Sequence, residues 1–363
     1  MRSLKDYKKK IDLLFDINPY SIKKNNKYND LLHYFNFLIS YHYKKNLNYK
    51  KIIQRMYKNK KKYLKLQDMP FLTSALFKDI DLLSISKKKV VKELNSSGTT
   101  GNILTRIYLD KFNSSNQVKA LKIIIQNILG TSRLPMLIID QDPRSIKNFK
   151  INARLAAING FSIFGKNHTY ALDEKFNLDY KKVNEFLKKY HNKIFFVFGF
   201  TSFIYMNLIK NLDKSKIKYD FRNSVLIHGG GWKKLERIKI TNKKFNTLLK
   251  NKIKIKKIAN YYGLVEQTGS IFVECEKGYF HCSNFSDIII RDKDLKVLPI
   301  GSRGLVQLFS ILPTSYPGHI LLTEDEGQII SDGLCKICGK YGKKFKIFGR
   351  TQMAETRGCS DTR

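Results

Sequence analysis

The sequence predicts an α/β protein whose second half is richer in strand. Three observations carry this. Continuous apolar runs at Leu137-Ile138-Ile139, Ile194 to Phe198 and Val225-Leu226-Ile227 have the length and composition of buried strands. Helical stretches such as Tyr180 to Tyr190 stand between them. From about Ser270 the pattern changes to shorter strands bounded by turn residues, at Phe280, Ile288-Ile289-Ile290 and Leu305-Val306-Gln307-Leu308.

Taken in order, residues 1–89 read as a helical N-terminal region. Leu31, Tyr34, Phe35, Leu38 and Ile39 recur at helical spacing on one face, with basic residues elsewhere. An aromatic stripe of that kind is core rather than a ligand box. Val90 to Leu94 is a short strand-like run that leads into a Ser/Gly/Thr loop, and Arg106 to Leu109 is a second one after it. Gln117 to Leu129 repeats apolar residues at Val118, Leu121, Ile125, Ile128 and Leu129. Ser114 or Ser115 is its candidate N-cap and Gly130 its stop. Residues 90–348 form the expected core and 349–363 a tail; no internal repeat is visible.

The chain has 363 residues, 42% of them hydrophobic, enough to bury one large core or two smaller ones. Its 68 Lys and Arg against 30 Asp and Glu give a net charge of +38. The lysines are scattered, as at Lys8-Lys9-Lys10, Lys60-Lys61-Lys62 and Lys87-Lys88-Lys89, which reads as a solvated basic surface. No specific nucleic-acid partner is expected, because charge alone gives only salt-sensitive, non-specific binding. The amino terminus lacks an apolar signal region, and Ile194 to Phe200 is too short to span a bilayer. A cytoplasmic protein without a transmembrane segment is therefore expected. Five cysteines, an odd number, argue for reduced thiols.

Two constellations carry chemistry. The first is Ser96, Ser97, Gly98, Thr99, Thr100 and Gly101. Its glycines let backbone amides face a ligand and its hydroxyls donate to phosphate oxygens; by composition alone an ordinary surface loop fits as well. It is not a Walker A sequence, since no Gly-Lys-Ser/Thr follows. In the second, Cys275 and His281 flank a Lys277-Gly278 turn, and Cys335 and Cys338 form a CxxC. Together they make a closed Cys₃His set suited to tetrahedral Zn²⁺, with Cys282 as an alternative to His281. The competing reading is small buried thiols. His168, His191 and His319 have no evident partner in sequence and are taken as structural.

The hexapeptide SSGTTG resembles the phosphate-binding signature of the adenylate-forming superfamily, which includes acyl-CoA synthetases. Companion segments follow in the expected order: His228-Gly229-Gly230-Gly231-Trp232-Lys233, Tyr262-Gly263-Leu264-Val265-Glu266, Leu322-Thr323-Glu324-Asp325 and Gly349-Arg350. The phrases RLPMLIID, YALDE, FGFT, HGGGWKKL, YYGLVEQTGSIF, HCSNFSDIIIRD, LLTEDEG and RGCSDT narrow the likeness to the LuxE acyl-protein synthetases, over most of residues 70–363. The resemblance implies a phenylacetate-CoA ligase-like adenylation domain. It places Gly229 and Gly230 beside adenine, Tyr262 and Gly263 against the base, Glu266 on Mg²⁺, Asp325 on the ribose hydroxyls and Arg350 at the hinge. These roles suit the side chains: Mg²⁺ prefers oxygen ligands, and a guanidinium donates a planar fork.

The sequence departs from the superfamily in three places. Val265 stands where a threonine is usual, and Asn102 to Arg106 lacks the usual lysine. Only fourteen residues follow Gly349, so the small C-terminal domain with its adenylation lysine is expected to be absent. In its place the resemblance implies that Cys359, flanked by Arg357 and Arg363, accepts the acyl group as a thioester; neighbouring cations favour the thiolate. A spectator thiol on a frayed terminus is the plain alternative.

The expected function is ATP- and Mg²⁺-dependent activation of a long-chain fatty acid, then delivery to an acyl reductase within a complex that also accommodates an acyl-transferase. The competing functions are a ligase using free coenzyme A and a catalytically silent polyanion-binding scaffold.

Overall fold

The structure is a computed structural model and describes residues 3–57, 62–95, 105–145, 153–215, 217–232 and 240–351. In chain order its strands are β1 (Leu72–Thr73), β2 (Lys92–Asn95), β3 (Arg106–Leu109), β4 (Leu134–Gln141), β5 (Gly165–Leu172), β6 (Phe195–Phe200) and β7 (Ser224–Gly229). The second half adds β8 (Lys257–Tyr262), β9 (Phe272–Glu274), β10 (Phe280–His281), β11 (Ser286–Arg291), β12 (Arg303–Ser310), β13 (Ile320–Asp332) and β14 (Lys343–Arg350). Twelve of these form one sheet. Its parallel block runs β5-β4-β6-β7-β8, and an antiparallel block continues through β9, β10, β14, β13, β12 and β11. The α/β expectation holds, and the β-rich half is an extension of the same sheet.

The apolar runs become central strands because both faces are covered. Along β4 and β6 successive side chains point to opposite faces. Met136, Ile138, Phe196 and Phe198 enter one core cluster, while Leu137, Ile139, Phe195 and Val197 enter the other. Helices Leu4–Leu13, Lys24–Lys45 and Lys111–Leu129 cover the first face through Tyr7, Ile11, Leu31, Phe35, Leu38 and Ile124. Tyr180–Tyr190 and Asn242–Ile253 cover the second through Val183, Phe186, Phe245 and Leu249. The stripe at Leu31, Tyr34, Phe35, Leu38 and Ile39 is buried throughout, and each such side chain contributes roughly 1.5–3 kcal/mol on burial.

One boundary differs from the sequence reading. The helix expected from Gln117 begins at Lys111 and is capped by Asp110, whose side chain accepts from the Asn113 amide. Ser114 and Ser115 therefore lie inside it. Its first turns bury polar groups: Asn113 Oδ1 accepts from the Thr314 and Ser315 amides at 2.9 and 3.1 Å, so no apolar signal marks the start. Gly130 ends the helix as expected, at φ +80°.

The hairpin β2–β3 forms a separate small sheet, in register from Lys92↔Leu109 to Asn95↔Arg106. Leu94, Ile107 and Leu109 pack with Phe77, Tyr316 and Leu321. Both stems of the Ser96–Gly101 loop are thereby anchored; the loop residues lie outside the described residues, as does Cys359.

Candidate active site

Parallel strands end along one edge of a sheet, where ligands of α/β proteins bind. Here that edge presents Gly229 at the end of β7 and Gly230 just beyond it, and Tyr262 at the end of β8 followed by Gly263 and Glu266. A Cβ at Gly229 would overlap the Tyr261 ring, and Gly230 has φ +77°, so the first position favours glycine for space and the second for its backbone conformation. The Thr201 hydroxyl bridges His228 Nδ1 and the Gly229 carbonyl at 2.9 and 3.2 Å. Burial holds the His228 imidazole neutral, its pKa pushed down to about 3.

The half-buried Tyr262 hydroxyl donates to Asp325 Oδ2 at 2.6 Å. Asp325 on β13 lies directly across from Arg350 on β14, and Arg350 pairs with Glu324 at 3.7 Å. Burial pushes the Asp325 carboxyl up, while the Tyr262 hydrogen bond and the Arg350 charge hold it down in part. Tyr262, Asp325 and Arg350, separate in sequence, form one polar group.

Glu266 sits in the single turn Val265–Gln267, 8% exposed. Its backbone carbonyl accepts from the Tyr316 hydroxyl at 2.9 Å. Burial raises the carboxyl pKa; a backbone amide, the Thr105 hydroxyl and the charges of Arg350 and Lys78 oppose it. Thr105 is buried and stands on the stem that leads out of the Ser96–Gly101 segment into β3, so Glu266 is joined to that stem. Sequence reasoning missed this role for Thr105. Lys78, on the turn Leu76–Asp79, was also missed; its only sequence signal is its position ahead of the loop.

The second constellation assembles as well. Ligand atoms of Cys275, His281, Cys335 and Cys338 all lie within 4.8 Å of one another, with Cys338 Sγ 3.5 Å from His281 Nε2. Two tight turns aim them: the Gly278 amide donates to the Cys275 carbonyl at 2.8 Å, and the Gly339 amide to the Cys335 carbonyl at 2.9 Å. Gly278 and Gly339 both have positive φ. Cys282, the alternative ligand, is outside this group; it packs with Phe272, Phe280 and Ile288 in an apolar cluster. His319 is buried against His42 with rings stacked at 4.9 Å, as befits a structural histidine. Among the described residues no helix is long and apolar enough to cross a membrane.

A parallel sheet continued by antiparallel strands, with glycines and polar side chains gathered at the strand ends, is the architecture of the adenylate-forming ligases. The fold is similar to 2-hydroxyisobutyryl-CoA ligase in its postadenylation state with 2-HIB-AMP, at TM-score 0.70 and 11% identity, covering 92% of this chain and 70% of that one. An open conformation of the same ligase with 2-HIB-AMP and CoA gives TM-score 0.70 and 10% identity, over 92% and 77%. No curated protein matches the chain significantly. The sequence profile of the acyl-protein synthetase, LuxE, family matches residues 4–363, and the chain belongs to that family. It is an AMP-forming ligase.

Proposed function

We propose that this ligase activates a long-chain fatty acid with ATP and then carries the acyl group on Cys359 for an acyl reductase. The observation that supports the reading best is the joining of Glu266 to the loop stem at Thr105, beside the Tyr262, Asp325 and Arg350 group. Ser96, Ser97, Gly98, Thr99, Thr100 and Gly101 hold the phosphates, Tyr262 and the Gly229–Gly230 turn face adenine, and Asp325 accepts from ribose hydroxyls. Mg²⁺, when held by Glu266, neutralises charge on the phosphate oxygens.

In the first transfer a carboxylate oxygen bonds to the α-phosphorus and the bond to pyrophosphate breaks. In the second, the Cys359 thiolate bonds to the acyl carbon of the mixed anhydride, the bond to AMP breaks, and the thiol proton has gone to solvent. The acyl chain then passes to the reductase. In the same reading Cys275, His281, Cys335 and Cys338 hold a structural Zn²⁺.

Intact mass spectrometry tests the acceptor. After incubation with Mg²⁺-ATP and a fatty acid, the protein gains the mass of one fatty acid minus one water, lost on hydroxylamine treatment. Cys359→Ser abolishes the adduct and keeps fatty-acid-dependent ATP–pyrophosphate exchange. An adduct that persists in the variant refutes Cys359, and exchange without any adduct assigns the acceptor to free coenzyme A.

A further inference from the structure

The Cys275, His281, Cys335 and Cys338 group has the dimensions of a metal centre. With Zn–S near 2.3 Å and Zn–N near 2.05 Å, a tetrahedron has an S···N edge of about 3.6 Å. The Cys338 to His281 separation is 3.5 Å. Three thiolates and an imidazole around Zn²⁺ carry one net negative charge, and Lys340, Lys344 and Lys27 all bear electrostatically on His281. The N-terminal segment closes over the same place. Tyr20 meets His281 edge-on at 6.5 Å, the Tyr341 amide donates to the Tyr20 carbonyl at 2.9 Å, and Lys340 lies over the Tyr20 ring.

The ligands come from two chain reversals, one between β9 and β10 and one between β13 and β14. His281 pairs with Lys344 and Phe280 with Phe345, so these reversals are held side by side through β10 and β14. Phe280, adjacent to His281, contacts the Tyr262 ring at 6.0 Å and Phe345 at 5.6 Å. Phe272, on β9 opposite Tyr262 of β8, packs on Phe345 at 5.1 Å. Tyr262 in turn holds Asp325. The path from the cluster to the polar group is therefore His281, Phe280, Tyr262, Asp325.

We infer that Zn²⁺ at Cys275, His281, Cys335 and Cys338 is a clamp for the nucleotide pocket, fixing the β9–β10 turn so that Phe280 holds Tyr262 against Asp325. The inference rests on the zinc assignment and on the nucleotide role of Tyr262. A clamp on the pocket acts on affinity for ATP. Losing it raises the KM for ATP by about 2- to 30-fold, the range of couplings carried through packed side chains, with less change in kcat.

The test uses the full-length protein. Zinc is measured by elemental mass spectrometry, cobalt substitution reports tetrahedral thiolate ligation, and ATP–pyrophosphate exchange gives kcat and KM. The expected result is one zinc per chain, kept in Cys282→Ala and lost in Cys338→Ser, with the KM for ATP raised only where zinc is lost. Should Cys338→Ser not fold, chelator titration of the wild type with Mg²⁺-ATP binding followed in parallel provides the same comparison. Zinc loss with unchanged ATP affinity overturns the clamp and leaves the zinc centre standing. Zinc-free protein with all three thiols and the imidazole intact overturns both. Zinc loss accompanied by failure of pyrophosphate binding as well as ATP binding assigns the metal to general folding and overturns the clamp.

Discussion

Thr105 shows how a single hydroxyl tunes the site. Its hydrogen bond stabilises the charged form of Glu266, opposing the burial that raises the carboxyl pKa. In the proposed role of Glu266 as Mg²⁺ ligand the carboxyl must be ionised, and its pKa would then set the acid limb of activity. In Thr105→Val the opposing hydrogen bond is gone, the Glu266 pKa rises further, and the acid limb of pyrophosphate exchange moves to higher pH. A profile that stays in place, or moves to lower pH, shows that Thr105 does not act on Glu266. Tyr262, Glu266, Asp325 and Arg350 were legible in sequence because each sits in a short phrase of recognisable order. Thr105 was not, because its partner comes from a distant strand end, and only the fold brings the two together.

At the scale of elements, the helix Lys111–Leu129 illustrates where periodicity runs out. Its apolar residues announce the last three turns, but the first turns bury Asn113, Asn116 and Gln117, which no hydrophobic count detects. Asp110 supplies the missing start signal by accepting from the Asn113 amide at 2.8 Å. Asp110→Ala leaves that amide without its cap and lowers stability by about 1 kcal/mol, measurable by urea unfolding; an unchanged midpoint excludes the cap as a contributor. The strands at Phe195–Phe200 and Ser224–Gly229 were legible for the opposite reason, since every residue in them is buried and each is centred on an apolar run, Phe195 to Phe198 and Val225 to Ile227.

At the scale of the molecule, the α/β class followed from alternating strands and helices, but the continuity of the sheet did not. The junction is the antiparallel pairing of β8 with β9, Tyr261↔Val273 and Tyr262↔Phe272, and register across a turn leaves no trace in composition. That junction places Tyr262 between the parallel strand ends and the antiparallel strands that carry Asp325 and Arg350. The N-terminal helices likewise share one core with β4, β6 and β12, so the site rests on a single packed body in which helices, loop stems and strand ends meet at Glu266. Formation of acyl-adenylate at this meeting point is measured most directly by fatty-acid-dependent exchange of pyrophosphate into ATP. The wild type exchanges only with Mg²⁺ and a fatty acid present, and Glu266→Gln, which keeps the side chain's shape and removes its charge, lowers the rate by about 10²–10³-fold. Undiminished exchange in Glu266→Gln, or a wild type that exchanges with no carboxylic acid of a panel, contradicts acyl-adenylate formation at this site.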